Sequence, residues 1–593
     1  MGSGTAGPGD RRPGNAIRAP AYAEGINPVP PRLSSQADPI FAPPPYVRGT
    51  AWRGSDPRSG KLSKSLAFIL LVPAALASLS CATRALDEQA AVRDQAHRIA
   101  LAERGAPHRV FLITVAGLRS DDFLDAWGHV ADSGVRVRMP VLARFAREGV
   151  VAERVHPPSP GTTYASHATL VTGRLPTHHG IISDRALDKE GKRTLPFWDS
   201  RLLLGTSLWD AAIGRGVVAL GWPSTTGARI EWLIPDARPV GSGQSWLAFL
   251  RNRASPFLVR ELESIAERDL SGGRNGAAGQ SMGKARDPAS WPTPAEKDAA
   301  FAELACRLVA TERDPGLWLI RFDQTAARQR SAGSGTVEVD RALARVDAAI
   351  GHIEACLAAA GRLADTAFFV VGDVTYQPVH TRVDPNVALV RAGLIGRDPR
   401  SATGVRSWLA LARSNGRSAY VYARDAEHAL EARQVLEQEA RRTGAFEVVP
   451  AADLAKTGAD PQAWFGLAAR PGFVIGDGLV RPVLRPSEVR ASAGALPFLE
   501  PAGSGVGLAA WGRGIRSQVR VPELGMADVA PTVAALLGLR LDRELDGKPI
   551  LGILRAAVPP PPPGPKRLGV GNEGDVDRAI RDLRGARPRG SDR

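Results

Sequence analysis

Cysteine is almost absent: Cys81, Cys306 and Cys356 are the only three in 593 residues. So few thiols, so far apart, exclude a disulfide framework and a cysteine zinc site as sequence-level expectations. Histidine is sparse as well, ten in all, and none follows His428. The run Leu66 to Ala77 is apolar and uncharged but short of the roughly 20 residues a membrane-spanning helix needs. No nucleic-acid-binding motif is present. The net charge of +15 would suit a polyanionic partner, yet its arginines are spread along the whole chain, as on an ordinary soluble surface. An apolar fraction of 44% with 23% charged residues supports a sizeable core and excludes a mainly disordered or collagen-like chain.

The two ends differ from the body. Residues 1–60 contain eleven Pro and nine Gly and read as a disordered tail. In the segment 61–82, Lys61 and Lys64 precede the apolar run, and Ser78-Leu79-Ser80-Cys81 follows it. This pattern resembles a bacterial lipoprotein signal with Cys81 as the lipidated residue, although Ser78 stands where an aliphatic residue is usual. Either translation starts near Lys61 or the run is a retained anchor. Both place the protein in the periplasm or at the membrane. Residues 555–593 open with Pro559 to Pro563 and form a second disordered, Pro-rich tail.

Between them strands and helices alternate. Val110–Val115, Val217–Leu220, Leu317–Phe322 (broken by Arg321), Ala367–Val371 and Gly507–Trp511 are short apolar runs that suit buried parallel strands. Helical patterns lie at Pro140–Gly149, Val337–Ala360 and Asp528–Leu537. The expected fold is α/β, a doubly wound, mostly parallel sheet built from 108–400 and 490–551. An inserted α+β cap subdomain fills 400–490, and a Gly/Ser/Pro-rich loop spans 271–297.

Chemistry in such sheets sits at the carboxyl ends of strands. The Pro/Gly-rich loop Pro157 to Gly161 leads into a helix beginning near Thr163. A Thr there is either a nucleophile favoured by the helix dipole or simply a cap. Asp323 and Asp373 follow apolar strands and are candidate metal ligands or turn-capping residues.

Several segments in order carry a family resemblance. They are Val110-Phe-Leu-Ile-Thr-Val-Ala-Gly-Leu-Arg-Ser-Asp, Met139-Pro-Val-Leu-Ala-Arg-Phe, Thr163 to Gly173 with Leu175-Pro-Thr-His-His-Gly, Leu208-Trp-Asp-Ala-Ala, Gly221-Trp-Pro-Ser, Ala510-Trp-Gly-Arg-Gly and Met526-Ala-Asp-Val-Ala-Pro-Thr. Together they resemble the type I phosphodiesterase/nucleotide pyrophosphatase family of the alkaline phosphatase superfamily. The resemblance implies an alkaline-phosphatase-like fold and two-zinc hydrolysis of phosphate esters through a phosphorylated Thr or Ser.

Residue by residue, the implied metal centre is incomplete. Thr163 fills the nucleophile position, and Asp323 and Asp373 fill two ligand positions. Ala116, Ala327 and Val374 stand where an Asp and two His are expected, and no His occurs near Ala495, where the last ligand belongs. Ser166 is a further candidate for contacting substrate. Three groups cannot complete two tetrahedral zinc sites, so no cofactor is expected. The expected function is a metal-poor pseudoenzyme of the cell envelope that binds or scaffolds, with a phosphate ester as candidate ligand and the membrane as partner through the N-terminal segment. The alternative is a hydrolase that still uses Thr163 in a rearranged site.

Overall fold

The computed structural model describes residues 105–124, 138–187, 194–237, 245–272, 292–401, 403–496 and 505–555. The lipoprotein-like segment with Cys81, the 1–60 tail, most of the 555–593 tail and residues 273–291 of the Gly-rich loop lie outside them.

The strands that position the site are β1 (Arg109–Val115), β2 (Val150–His156), β3 (Val217–Trp222), β4 (Trp232–Pro235), β5 (Leu317–Phe322), β6 (Thr366–Gly372), β7 (Gln377–Val383), β8 (Ala410–Ser414), β9 (Ser418–Ala423), β10 (Phe446–Pro450), β11 (Phe465–Ala469), β12 (Val506–Gly512) and β13 (Val519–Gly525). The main helices are α1 (Pro140–Glu148), α2 (Thr163–Thr172), α3 (Pro294–Val309), α4 (Gln324–Ala332), α5 (Val337–Ala359), α6 (Ala426–Thr443) and α7 (Val529–Leu537).

Eight strands form one sheet in the order β13-β2-β12-β6-β1-β5-β3-β4. Every neighbouring pair is parallel except those made by β12, which runs antiparallel to both β2 and β6. This corrects the expectation that Gly507–Trp511 is a parallel strand. An apolar run buried on both faces carries no information about direction.

Period-two alternation sends the sheet's side chains into two cores. Phe111 and Ile113 of β1 join Phe145 of α1, Phe301 and Leu304 of α3, and Leu343 and Ile350 of α5. Val110 and Leu112 pack on the other face with Leu170 and Val171 of α2 and Val533 and Leu537 of α7. Helices on both faces explain why β1 is buried along its whole length. A separate antiparallel sheet, β8-β9-β11-β10, carries α6 and has its own core of Val421, Leu436, Phe446 and Leu467.

One cysteine expectation is overturned. Cys306 of α3 and Cys356 of α5 form a disulfide across 50 residues of sequence, because the two helices pack against each other. Spacing along the chain does not show that neighbourhood. Among the described residues no helix is long and apolar enough to cross a membrane.

Candidate functional site

Strands β6, β1 and β5 lie side by side, with Val115 in register with Gly372 on one side and Phe322 on the other. The next residues, Asp373, Ala116 and Asp323, therefore form a row at the carboxyl edge, with a methyl in the middle place. Thr114 and its register partner Arg321 point to the face covered by α2, where Thr114 Oγ1 lies 2.8 Å from Nε2 of His167.

α2 starts at Thr163 and stops at Gly173, whose left-handed backbone (φ 69) suits a residue without a side chain. Thr162 precedes it in extended conformation and makes no side-chain cap bond. The first turn is braced by His167, whose Nδ1–H donates to the Thr163 carbonyl at 2.7 Å while Nε2 accepts from Thr114. Burial, then the charge of Arg321, keeps His167 well below its ordinary pKa, so it is neutral. The N–H of Tyr164 donates to the carboxylate of Asp184 at 2.8 Å. A carboxylate of the chain itself thus sits at the α2 N-terminus beside Thr163, where dipole and free N–H groups favour an anion. Burial raises the pKa of Asp184.

Asp323 is held by cations. Its Oδ2 lies 2.5 Å from the ammonium of Lys297 on α3 and 3.4 Å from the guanidinium of Arg321. All three side chains are at least nine-tenths buried. Arg321 also reaches Asp236 at 3.2 Å and is coupled electrostatically to Asp373 and Tyr164. Burial disfavours its charge, but the surrounding carboxylates outweigh burial and hold its pKa above the usual value. Asp298 accepts the N–H groups of Asp323 and Gln324, both at 3.0 Å, and so anchors the start of α4. Burial, reinforced by the Asp323 charge, pushes Asp298 up to about 7.

Asp373 is fixed differently. Its Oδ1 accepts N–H bonds from Gly117 (3.0 Å) and Val374 (2.7 Å), while Oδ2 is buried and has no hydrogen-bond partner among the described residues. Burial pushes its pKa up to about 6, against the pull of Arg321. Gly117 has φ 82, and a Cβ there would meet Gln329 Oε1 at 2.3 Å. Glycine therefore leaves room for Gln329, whose Nε2 donates to the Gly117 carbonyl at 3.0 Å.

The remaining candidates fall as follows. Ala116 and Val374 join Ala326, Tyr376 and Ala491 in a small apolar cluster. Ala327 is half-buried and outside it. Ala495 borders the loop before α2, its carbonyl accepting from Gly161 N at 3.3 Å. Ser166 is fully buried in the first turn of α2, its hydroxyl without a partner among the described residues. His380 lies exposed on β7, with Nδ1 2.8 Å from Thr381 Oγ1 and its ring near Phe473. The pocket against Lys297 and Asp236 is about 20 Å³, room for one water.

Two tetrahedral zinc ions do not fit this donor set. One of the two carboxylates is already neutralised by Lys297 and Arg321, and apolar side chains stand at the flanking ligand places. Sequence reasoning missed Lys297, Asp298 and Asp184. Arg321 carried a signal, since a lone charge interrupting a buried strand demands a buried counter-charge.

A family model described as type I phosphodiesterase / nucleotide pyrophosphatase matches residues 110–465, more than half of the chain. The mouse (Mus musculus) ectonucleotide pyrophosphatase/phosphodiesterase family member 1 is 24% identical over 196 residues, 29% of this chain and 20% of the relative. The bis(5'-adenosyl)-triphosphatase enpp4 of Xenopus laevis is 35% identical over 85 residues, 14% of this chain and 18% of the relative. The chain thus spans only about a fifth of these curated relatives. Among solved structures, human ectonucleotide pyrophosphatase/phosphodiesterase 5 superposes with a TM-score of 0.51 at 13% identity, covering 76% of this chain and all of the other. The murine family member 5, in an inactive form in complex with AMP, gives 0.51 at 14% identity over 75% and 99% of the two chains. With the sheet order and the ordered motifs, these matches show that the chain belongs to the type I phosphodiesterase/nucleotide pyrophosphatase family of the alkaline phosphatase superfamily.

Proposed function

We propose that this protein is a metal-poor pseudoenzyme of its family, binding or scaffolding in the cell envelope. The observation that carries the reading is the Lys297–Asp323–Arg321 cluster. A metal ion would neutralise Asp323 and activate Thr163; here two side-chain cations supply the neutralisation, and among the described residues no side chain hydrogen-bonds the Thr163 hydroxyl. Unactivated, the Thr163 hydroxyl is a weak nucleophile. The ligand class is a phosphate ester, after the relatives' name; at the α2 N-terminus it would have to displace the Asp184 carboxylate. The relatives' name, ectonucleotide pyrophosphatase/phosphodiesterase, and the Cys306–Cys356 disulfide support export to an oxidising compartment.

A second reading rests on Asp373 Oδ2, a buried oxygen with no partner among the described residues, which would suit one metal ion. In that case the protein is a hydrolase using Thr163 in a rearranged site. Hydrolysis of bis(4-nitrophenyl) phosphate with added zinc separates the two. The pseudoenzyme reading expects no turnover above that of Thr163→Ala. Zinc-dependent turnover that Thr163→Ala abolishes supports the hydrolase.

A further inference from the structure

Away from the strand-end site, α3 and α5 bring four metal-ligating side chains together. Glu303 and Cys306 are one helical turn apart on α3, and His352 and Cys356 one turn apart on α5. Ligand atoms of Cys306, His352 and Cys356 all lie within 4.8 Å of one another. His352 Nε2 is 3.6 Å from Glu303 Oε2. Two donors sharing a tetrahedral zinc at ~2.0–2.1 Å stand about 3.4 Å apart, so this pair is already close to the required spacing. The other oxygen of Glu303 accepts from Arg307 Nε at 2.9 Å, and Arg307 is itself tied to Glu261 at 2.6 Å. That bracing turns the free carboxylate oxygen toward His352, as an outer-shell partner does for a metal ligand. The His352 side chain is 50% exposed, so an ion has a path to the site.

We propose that Cys306, Cys356, His352 and Glu303 form a redox-gated zinc site, open in the reduced chain and closed by the disulfide. In the reduced state the two thiols lose their protons, and zinc is held by two thiolates, one imidazole and one carboxylate. Once the S–S bond is broken, the sulfurs would stand about 3.8 Å apart, the spacing of two thiolates on one tetrahedral zinc. A disulfide oxidant of the thiol class reverses this. The two zinc-bound thiolates form the Cys306–Cys356 bond, the oxidant's S–S bond takes both electrons and leaves as two thiolates, and Zn²⁺ departs. Zinc therefore clasps α3 to α5 before oxidation, and the disulfide does so afterwards.

The test uses the full chain, oxidised or reduced by a phosphine, which becomes the phosphine oxide by taking oxygen from water and leaves both cysteines as thiols. Zinc is titrated against a chromophoric chelator, and Co²⁺ replaces it to report thiolate ligation. The expected result is one additional zinc on the reduced chain relative to the oxidised one, with a thiolate-to-cobalt charge-transfer band. Cys306→Ser with Cys356→Ser should abolish both. His352→Ala, at an exposed position, and Glu303→Gln, at a half-buried one, should each weaken binding at least about ten-fold. Equal uptake by both redox states overturns the proposal. So does reduced-state binding without the band, or binding unchanged in His352→Ala and Glu303→Gln.

Discussion

Lys297 Nζ lies 2.5 Å from Oδ2 of Asp323, joining the first turn of α3 to the carboxyl end of β5 across 26 residues of sequence. Both groups are buried and Arg321 completes the cluster. This ion pair is the structural reason for reading the strand-end row as a charge-compensated site.

Breaking the pair from one side strands a buried charge. Lys297→Met should lower unfolding free energy by about 3 kcal/mol, measured by urea denaturation. Adding Asp323→Leu should recover most of that loss, because the uncompensated carboxylate is then gone. A Lys297→Met protein as stable as the parent would mean that Arg321 alone neutralises Asp323.

The same pair should block reconstruction of a metal centre. Ala116→Asp, Ala327→His, Val374→His and Ala495→His together are expected to bind no zinc while Lys297 remains, and to take it up once Lys297→Met is added. Isothermal titration of the oxidised variants measures this. Zinc uptake with Lys297 still in place would show that the cluster yields readily to a metal.

At the β1 turn, Gly117→Ala is expected to cost about 1–3 kcal/mol, since φ is 82 and the new Cβ would overlap Gln329 Oε1. The loss should appear as a lower denaturation midpoint with an unchanged m-value.

His179 provides a pH signature. It is fully buried, its Nδ1 accepts from Ile181 N at 3.1 Å, and Nε2 lies 3.0 Å from Thr169 Oγ1. Burial lowers its pKa to about 3 from an ordinary 6.5. Between those values the unfolded chain binds the proton and the native chain does not. This contribution is intact above pH ~6.5 and is lost as pH falls toward 3, by about 1.4 kcal/mol per pH unit. His179→Gln should flatten the stability-versus-pH slope in that window; an unchanged slope would place the proton uptake elsewhere.

Much of the frame was legible in the chain. The run Leu317–Phe322 is a strand with those bounds, and the residues after β5 and β6 are the carboxylates that the ordered motifs singled out. Ala116 between them was legible for the same reason, since parallel strands end at one edge. What escaped were relationships set only by packing. Lys297 reaches Asp323 because α3 lies on the sheet, and Cys306 meets Cys356 because α3 lies on α5. The β2 strand, Val150–His156, was also passed over because Glu153 and Arg154 interrupt its apolar pattern. Ala326 rather than Ala327 lies beside Ala116, because the turn of α4 decides which methyl faces inward.

The most direct test of the charge-compensated site is elemental metal analysis of the purified chain with the Cys306–Cys356 disulfide intact, before and after equilibration with excess zinc and desalting. The account predicts substoichiometric zinc in both samples, and the same in Asp323→Asn and Asp373→Asn. One or two zinc ions per chain, lost in those two variants, would contradict it.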